Sequence, residues 1–106
     1  MKVTFSDEAL KDIYQTKHTK SRRYAKLCKN AKLVKGYIRA VDYMVGANTV
    51  SDLSKFSFLH YERLRHCGKS SVRIVNGCIE RLIFTESEDG VEIDLIEIND
   101  THYGNK

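Results

Sequence analysis

Residues 70–99 read SSVRIVNGCIERLIFTESEDGVEIDLIEIN. Three apolar-patterned runs are separated there by two turn signals, the Asn76-Gly77 dipeptide that favours a two-residue hairpin and the cluster Ser87-Glu88-Asp89-Gly90. The stretch therefore predicts an antiparallel β-meander. In its last run Val91, Ile93 and Leu95 share one face while Ile96 and Ile98 fall on the other, which predicts a bulge near Leu95 or burial on both faces toward the end. Just upstream, FLHYERLR at 58–65 alternates His60, Glu62 and Leu64 with Leu59, Tyr61, Arg63 and Arg65, adding a fourth strand that the turn HCGK ends.

Before the meander the period changes from two to between three and four. KVTFS at 2–6 is a short strand, and Ser6 is positioned to cap a helix over Ser6 to Tyr14. From residue 17 to residue 45, Leu27, Ala31, Val34, Ile38, Val41 and Val45 recur at steps of four and three, which predicts one long helix with an apolar stripe. Arg22, Arg23, Lys26 and Lys29 lie off that stripe, with Lys32, Lys35 and Arg39 nearby, so the helix shows a basic side to solvent. Gly36 weakens its middle by about 1 kcal/mol relative to Ala, and Gly46 with Asn48 marks its stop. TVSDLSKF adds a short turn or helix capped by Thr49 or Ser51. The fold class expected is α+β: an N-terminal strand and two helices packed on a mainly antiparallel four- to five-stranded sheet.

At 106 residues the chain has the length of one domain, 1–106, able to bury a core without disulfide or metal staples. A hydrophobic fraction of 42% sets general disorder aside. No apolar run approaches the roughly 20 residues that a membrane span requires, and acids occupy the N-terminal stretch where a signal peptide would be apolar, so a cytoplasmic protein without membrane contact is expected. Cys28, Cys67 and Cys78 lack CxxC spacing, and three reduced thiols with no metal and no cofactor are the reading. Charge is segregated. Nine of the 18 basic residues lie between 17 and 41, where no acid occurs, and eight of the 14 acids lie from Glu80 to Asp100. Such a block either meets a polyanionic partner or forms a solvated helix face.

The residues able to do chemistry gather in the second half. His102 has an imidazole that exchanges a proton near neutral pH, and Asp100 is placed to orient it; a terminal His is otherwise idle. Arg73 in SVRIV and Arg81 in ERLIF each interrupt an apolar strand, and from adjacent strands they can clamp a phosphate, or else pair with acids such as Glu80 or Glu92. His60 or Glu62 supplies a base that takes the proton of an RNA 2′-hydroxyl, so that it attacks the adjacent phosphorus without a metal. No phosphate loop, nucleotide fingerprint, HExxH or serine-nucleophile motif is present.

The whole pattern, a basic two-helix half, then FLHYERLRHCGKSSVRI, then ERLIF, then a last strand running into DTHYGNK, resembles the RelE/ParE superfamily of bacterial type II toxins, in its HigB-like branch. The resemblance covers nearly the whole chain. It implies a ribosome-dependent endoribonuclease that cuts mRNA in the ribosomal A site and is held in check by a cognate antitoxin, commonly a helix-turn-helix, HigA-like protein. Asp100 and His102 match the branch's terminal Asp, Tyr, His triplet; Thr101 replaces its tyrosine, and Tyr103 stands one position later. On this likeness His102, Arg73, Arg81, His60, Glu62, Asp100 and Tyr103 are the catalytic set. Arg22, Arg23, Lys26, Lys29, Arg63 and Arg65 meet ribosomal RNA and message. Two rivals stay open: a ParE-like inhibitor of DNA gyrase on the same fold, and a non-catalytic RNA-binding domain.

Overall fold

The computed structural model describes residues 1–64 and 68–100. The expectations for Arg65, Cys67, His102 and Tyr103 lie outside the described residues. Chain order is β1 (Lys2–Phe5), α1 (Glu8–Thr16), α2 (Ala25–Cys28), α3 (Ala31–Gly46), β2 (Glu62–Arg63), β3 (Ser70–Arg73), β4 (Arg81–Glu86) and β5 (Glu92–Asn99), with 3-10 turns at Arg22–Tyr24, Val50–Lys55 and Ser57–Leu59. The sheet order is β1-β5-β4-β3-β2. Strands β2 to β5 form the antiparallel meander, and β1 lies parallel to β5 at the far edge. The architecture is the expected α+β, with a five-stranded, mostly antiparallel sheet.

The apolar phase change in the last strand is a bulge. Ile83 pairs with Glu97 but Phe84 pairs with Leu95, so Ile96 is the extra residue. Without it, Ile98 would sit on the opposite face from Ile93 and Leu95; with it, Ile93, Leu95 and Ile98 are buried together, at 2%, 0% and 6% exposure. They close a core against Leu10 and Ile13 of α1, Val34, Tyr37, Val41 and Met44 of α3, and Val72, Leu82 and Phe84 of the sheet. The Tyr37 hydroxyl, inside this core, donates to the Leu10 carbonyl at 2.7 Å, and burial pushes its phenol well above the ordinary tyrosine range.

Several elements depart from the sequence reading, each for a local reason. Asp7, not Ser6, caps α1, accepting the Ala9 amide at 2.9 Å, because the Ser6 hydroxyl is drawn to the Asp94 carboxylate on β5. The long helix is broken in two at Asn30, whose side chain accepts the amides of Lys32 and Leu33 at 3.1 and 3.3 Å and starts α3 afresh. The stripe of α3 is rotated from the expected one: Leu33, Tyr37, Ala40 and Met44 join Val34 and Val41 inside, while Val45 is 47% exposed. Gly36 is more than a weak point. It is buried, and a Cβ there would overlap the carbonyl oxygen of Ile74 and stand 2.6 Å from Val75 Cγ2, so the helix approaches the β3–β4 loop at a residue without a side chain.

Residues 58–65 do not form one strand either. Leu59 ends a 3-10 turn, His60 adopts the left-handed conformation at φ 47°, and only Glu62 and Arg63 pair with β3. His60 and Glu62 therefore do not share a strand face. The Asn76-Gly77 pair is a turn, with Gly77 at φ 86°, but it sits within a loop that spans 74–80 because Ile74 and Val75 leave the ladder to enter the core. Thr49 caps the Val50–Lys55 turn in a reciprocal box with Asp52.

Candidate nucleic-acid site on the outer sheet face

Register fixes which side chains share the face turned away from the helices. Pairing sets Ser71 opposite Ile83 and Ile83 opposite Glu97, and in the next row sets Arg73 opposite Arg81 and Arg81 opposite Asn99. Glu62 joins the first row through Ser71. Neighbouring strands lie about 4.8 Å apart, so Arg73 and Arg81 stand side by side, as a two-cation clamp requires.

The two arginines are held differently. Arg81 donates through Nε to the Ser71 hydroxyl at 2.8 Å and through Nη2 to the His60 carbonyl at 2.8 Å, with a Glu62 oxygen 4.0 Å from the same nitrogen. It thereby ties the segment before β2 to β4. Burial pulls its guanidinium below the ordinary arginine value, Glu62 opposes that, and the neighbouring Arg73 charge adds to it. Arg73 is half-buried, and its Nε is enclosed with no hydrogen-bond partner among the described residues. A buried donor left unsatisfied costs on the order of 1–3 kcal/mol, so an acceptor brought to this row is favoured.

Beyond Asn99 the row opens into a cleft of about 560 Å³ between the end of β5 and the turn that precedes α2. Arg23, Lys26 and Lys29 line one side and Glu80, Asn99 and Asp100 the other, with Leu27, Leu33 and Ile98 supplying apolar surface. The turn is pinned to the sheet: the Tyr24 hydroxyl accepts the Ile98 amide at 3.2 Å, and Arg23 pairs with Glu97 while its guanidinium lies 5.3 Å from the Tyr24 ring centre. Burial pushes the Tyr24 phenol up. Three cations thus face a strand end that carries a carboxylate.

Of the residues singled out from sequence, Arg73, Arg81 and Glu62 share the outer face. Arg23, Lys26, Lys29 and Asp100 share the adjoining cleft. Arg22 is exposed but does not line the cleft. Arg63 is elsewhere: it pairs with Glu86 at 3.4 Å, and that carboxylate also accepts Tyr61 at 2.6 Å and Ser70 at 2.8 Å. His60 contributes its carbonyl oxygen. Sequence reading missed Ser71, Glu97, Asn99 and Tyr24; the alternation that marked Arg73 also marked Ser71, but Tyr24 is tied to the sheet only by the tertiary fold. Among the described residues no three His, Cys, Asp or Glu converge as a metal's ligands, and no helix is long and apolar enough to cross a membrane. Cys28 and Cys78 are free, half-buried thiols.

No protein-family model matches the chain, and no curated protein matches it. Among solved structures it is similar to a YoeB/ParE toxin from Agrobacterium tumefaciens, with a TM-score of 0.51 and 16% sequence identity over 96% of this chain and 100% of that one. At that identity the likeness is one of fold, and the fold of this chain is of the RelE/ParE type.

Proposed function

We propose that the protein is a type II toxin, an mRNA interferase of HigB-like type that cuts ribosome-bound message by metal-free attack of a 2′-hydroxyl. The observation that carries the reading is the outer row of Arg73 and Arg81, with the buried, unpartnered Nε of Arg73, opening onto a cleft where three cations face Asp100. The fold likeness to a YoeB/ParE toxin and the sequence resemblance support it. Cleavage proceeds by attack of the 2′-oxygen on phosphorus and departure of the 5′-oxygen, leaving a 2′,3′-cyclic phosphate. Arg73, with Arg81 beside it, stabilises the charged phosphorane, and His102, oriented by Asp100, gives its proton to the leaving oxygen. Glu62 is favoured over His60 as the base because its register partner Ser71 lies on the arginine face. Tyr103 stacks on a base or lends its hydroxyl. A cognate antitoxin, a helix-turn-helix protein of HigA type, would neutralise the toxin in the cytoplasm, and ribosome and mRNA would be its targets.

One observation favours a second reading. Arg81 is already engaged by Ser71, the His60 carbonyl and Glu62, which suits a structural arginine in a protein-binding toxin of ParE type directed at gyrase. Inducing wild type and His102→Ala separately, with primer extension on ribosome-bound message, separates the two. Cuts in wild type that vanish in the variant support the nuclease. Growth arrest without cuts, unchanged by the substitution, supports the protein target.

A further inference from the structure

The break at Asn30 divides the basic block into two surfaces. Lys32, Lys35 and Arg39 stand at i, i+3 and i+7 on α3, one exposed face that rises about 10 Å along the helix. They rim a second cleft, of about 380 Å³, together with Gly36 and Val75. Among the described residues no carboxylate lines it. The only acid on α3, Asp42, accepts the Tyr14 hydroxyl from α1 at 2.5 Å. At one end of this face the Arg39 guanidinium lies 4.8 Å from the centre of the Phe58 ring. Phe58 is braced in turn by Tyr43 and Phe56, with ring centres 5.0 and 6.1 Å away.

Cations at one-turn intervals, an apolar floor and a flat guanidinium backed by an aromatic ring are what a single nucleic-acid strand requires. Lysines take phosphates as point charges, and an arginine plane is a stacking platform for an unpaired base. The face also continues from the first cleft, since Lys29 and Leu33 line that one and Lys32 and Lys35 this one. We propose that the outer face of α3 is a second RNA-binding tract, in which Lys32 and Lys35 hold phosphates and Arg39, backed by Phe58, stacks an unpaired base. The partner class, RNA, rests on the function proposed above. The tract lies apart from the arginine row of the sheet.

The test uses a fluorescent single-stranded 2′-O-methyl RNA of about 20 nucleotides, which cannot undergo 2′-hydroxyl attack, titrated over a range of salt concentrations. Substituting Lys32, Lys35 and Arg39 together by Gln is expected to lower the salt slope by about 1.4, at roughly 0.7 for each of the two phosphates that are no longer neutralised. Arg39→Lys keeps the charge and should weaken binding about fivefold at an unchanged slope, the loss of a stacked base. Thermal melting checks that the variants fold. A parallel variant with Arg23, Lys26 and Lys29 changed to Gln reports on the first cleft. If only that variant loses affinity, the second tract is overturned and the proposed function stands. If only the α3 variants lose it, the tract holds and RNA binding in the first cleft fails. Unchanged binding in every variant overturns both, and loss of antitoxin binding with RNA binding intact in the α3 variants makes this a protein-docking face instead.

Discussion

The two faces of the sheet are built by alternate residues of the same strands, yet they obey different rules. Toward the helices, Val72, Leu82 and Ile98 form one row, and Phe84 with Leu95 lies in the next. Away from them the rows are Ser71, Ile83 and Glu97, then Arg73, Arg81 and Asn99. The inner face is decided by volume, since every atom there must fill space. The outer face also buries Ser71 and Ile83, but in its next row it is decided by where charges and donors stand, and there the Arg73 Nε has no partner among the described residues. A single extra residue, Ile96, keeps the two sets apart to the end of β5. Stability should therefore rest chiefly on the inner face and on the buried Ile83, and activity on the Arg73 end of the outer one.

Substitutions can sharpen or break that separation. The largest loss of stability is expected at the inner face: Phe84→Ala, at a fully buried ring, should cost about 4 kcal/mol in urea unfolding. A loss under half of that would mean the core does not seat on this face. Gly36→Ala should come next, at about 2 kcal/mol, although alanine is the better helix former, because the added methyl meets the Ile74 carbonyl. A gain in stability would show that α3 does not approach the loop so closely. Asn30→Ala removes the cap of α3 and should cost about 1 kcal/mol, with helical circular dichroism as a second reading.

A smaller effect is expected from pH. Lys55, then the amides of Thr49 and Asn48, hold the Asp52 carboxyl below the ordinary range. A carboxylate with a depressed folded value adds stability that is present above its unfolded value, near 3.9, and is lost as pH falls through the folded one. Acid titration of Asp52→Asn should then show a shallower decline below about pH 4 than wild type. Curves that run parallel would show that the capping box does not persist in solution.

Much of this fold was legible because periodicity carries the burial pattern. The bulge in β5 was visible as a phase change between Leu95 and Ile96, and Thr49 was visible as a cap. The helix break at Asn30 was hidden, since Leu27 and Ala31 continue the spacing across it and asparagine is no strong breaker. The strand expected over 58–65 failed because alternation alone does not exclude a 3-10 turn, and Phe56 and Phe58 are used there to pack on Tyr43. At the site, Arg73 and Arg81 announced themselves by interrupting apolar strands. The salt bridge from Arg23 to Glu97 and the bond from Ile98 to Tyr24 join residues 74 apart in sequence, and no local pattern records such a contact.

The central claim is that Arg73 acts on RNA and does not serve to hold the fold, unlike Arg81, which ties the segment before β2 to β4. It is tested most directly by Arg73→Gln, assayed side by side with wild type for cuts in ribosome-bound mRNA and for thermal stability. Cleavage is expected to slow by at least about 100-fold, with stability within about 0.5 kcal/mol of wild type. Cleavage at the wild-type rate, or a variant that fails to fold, would contradict it.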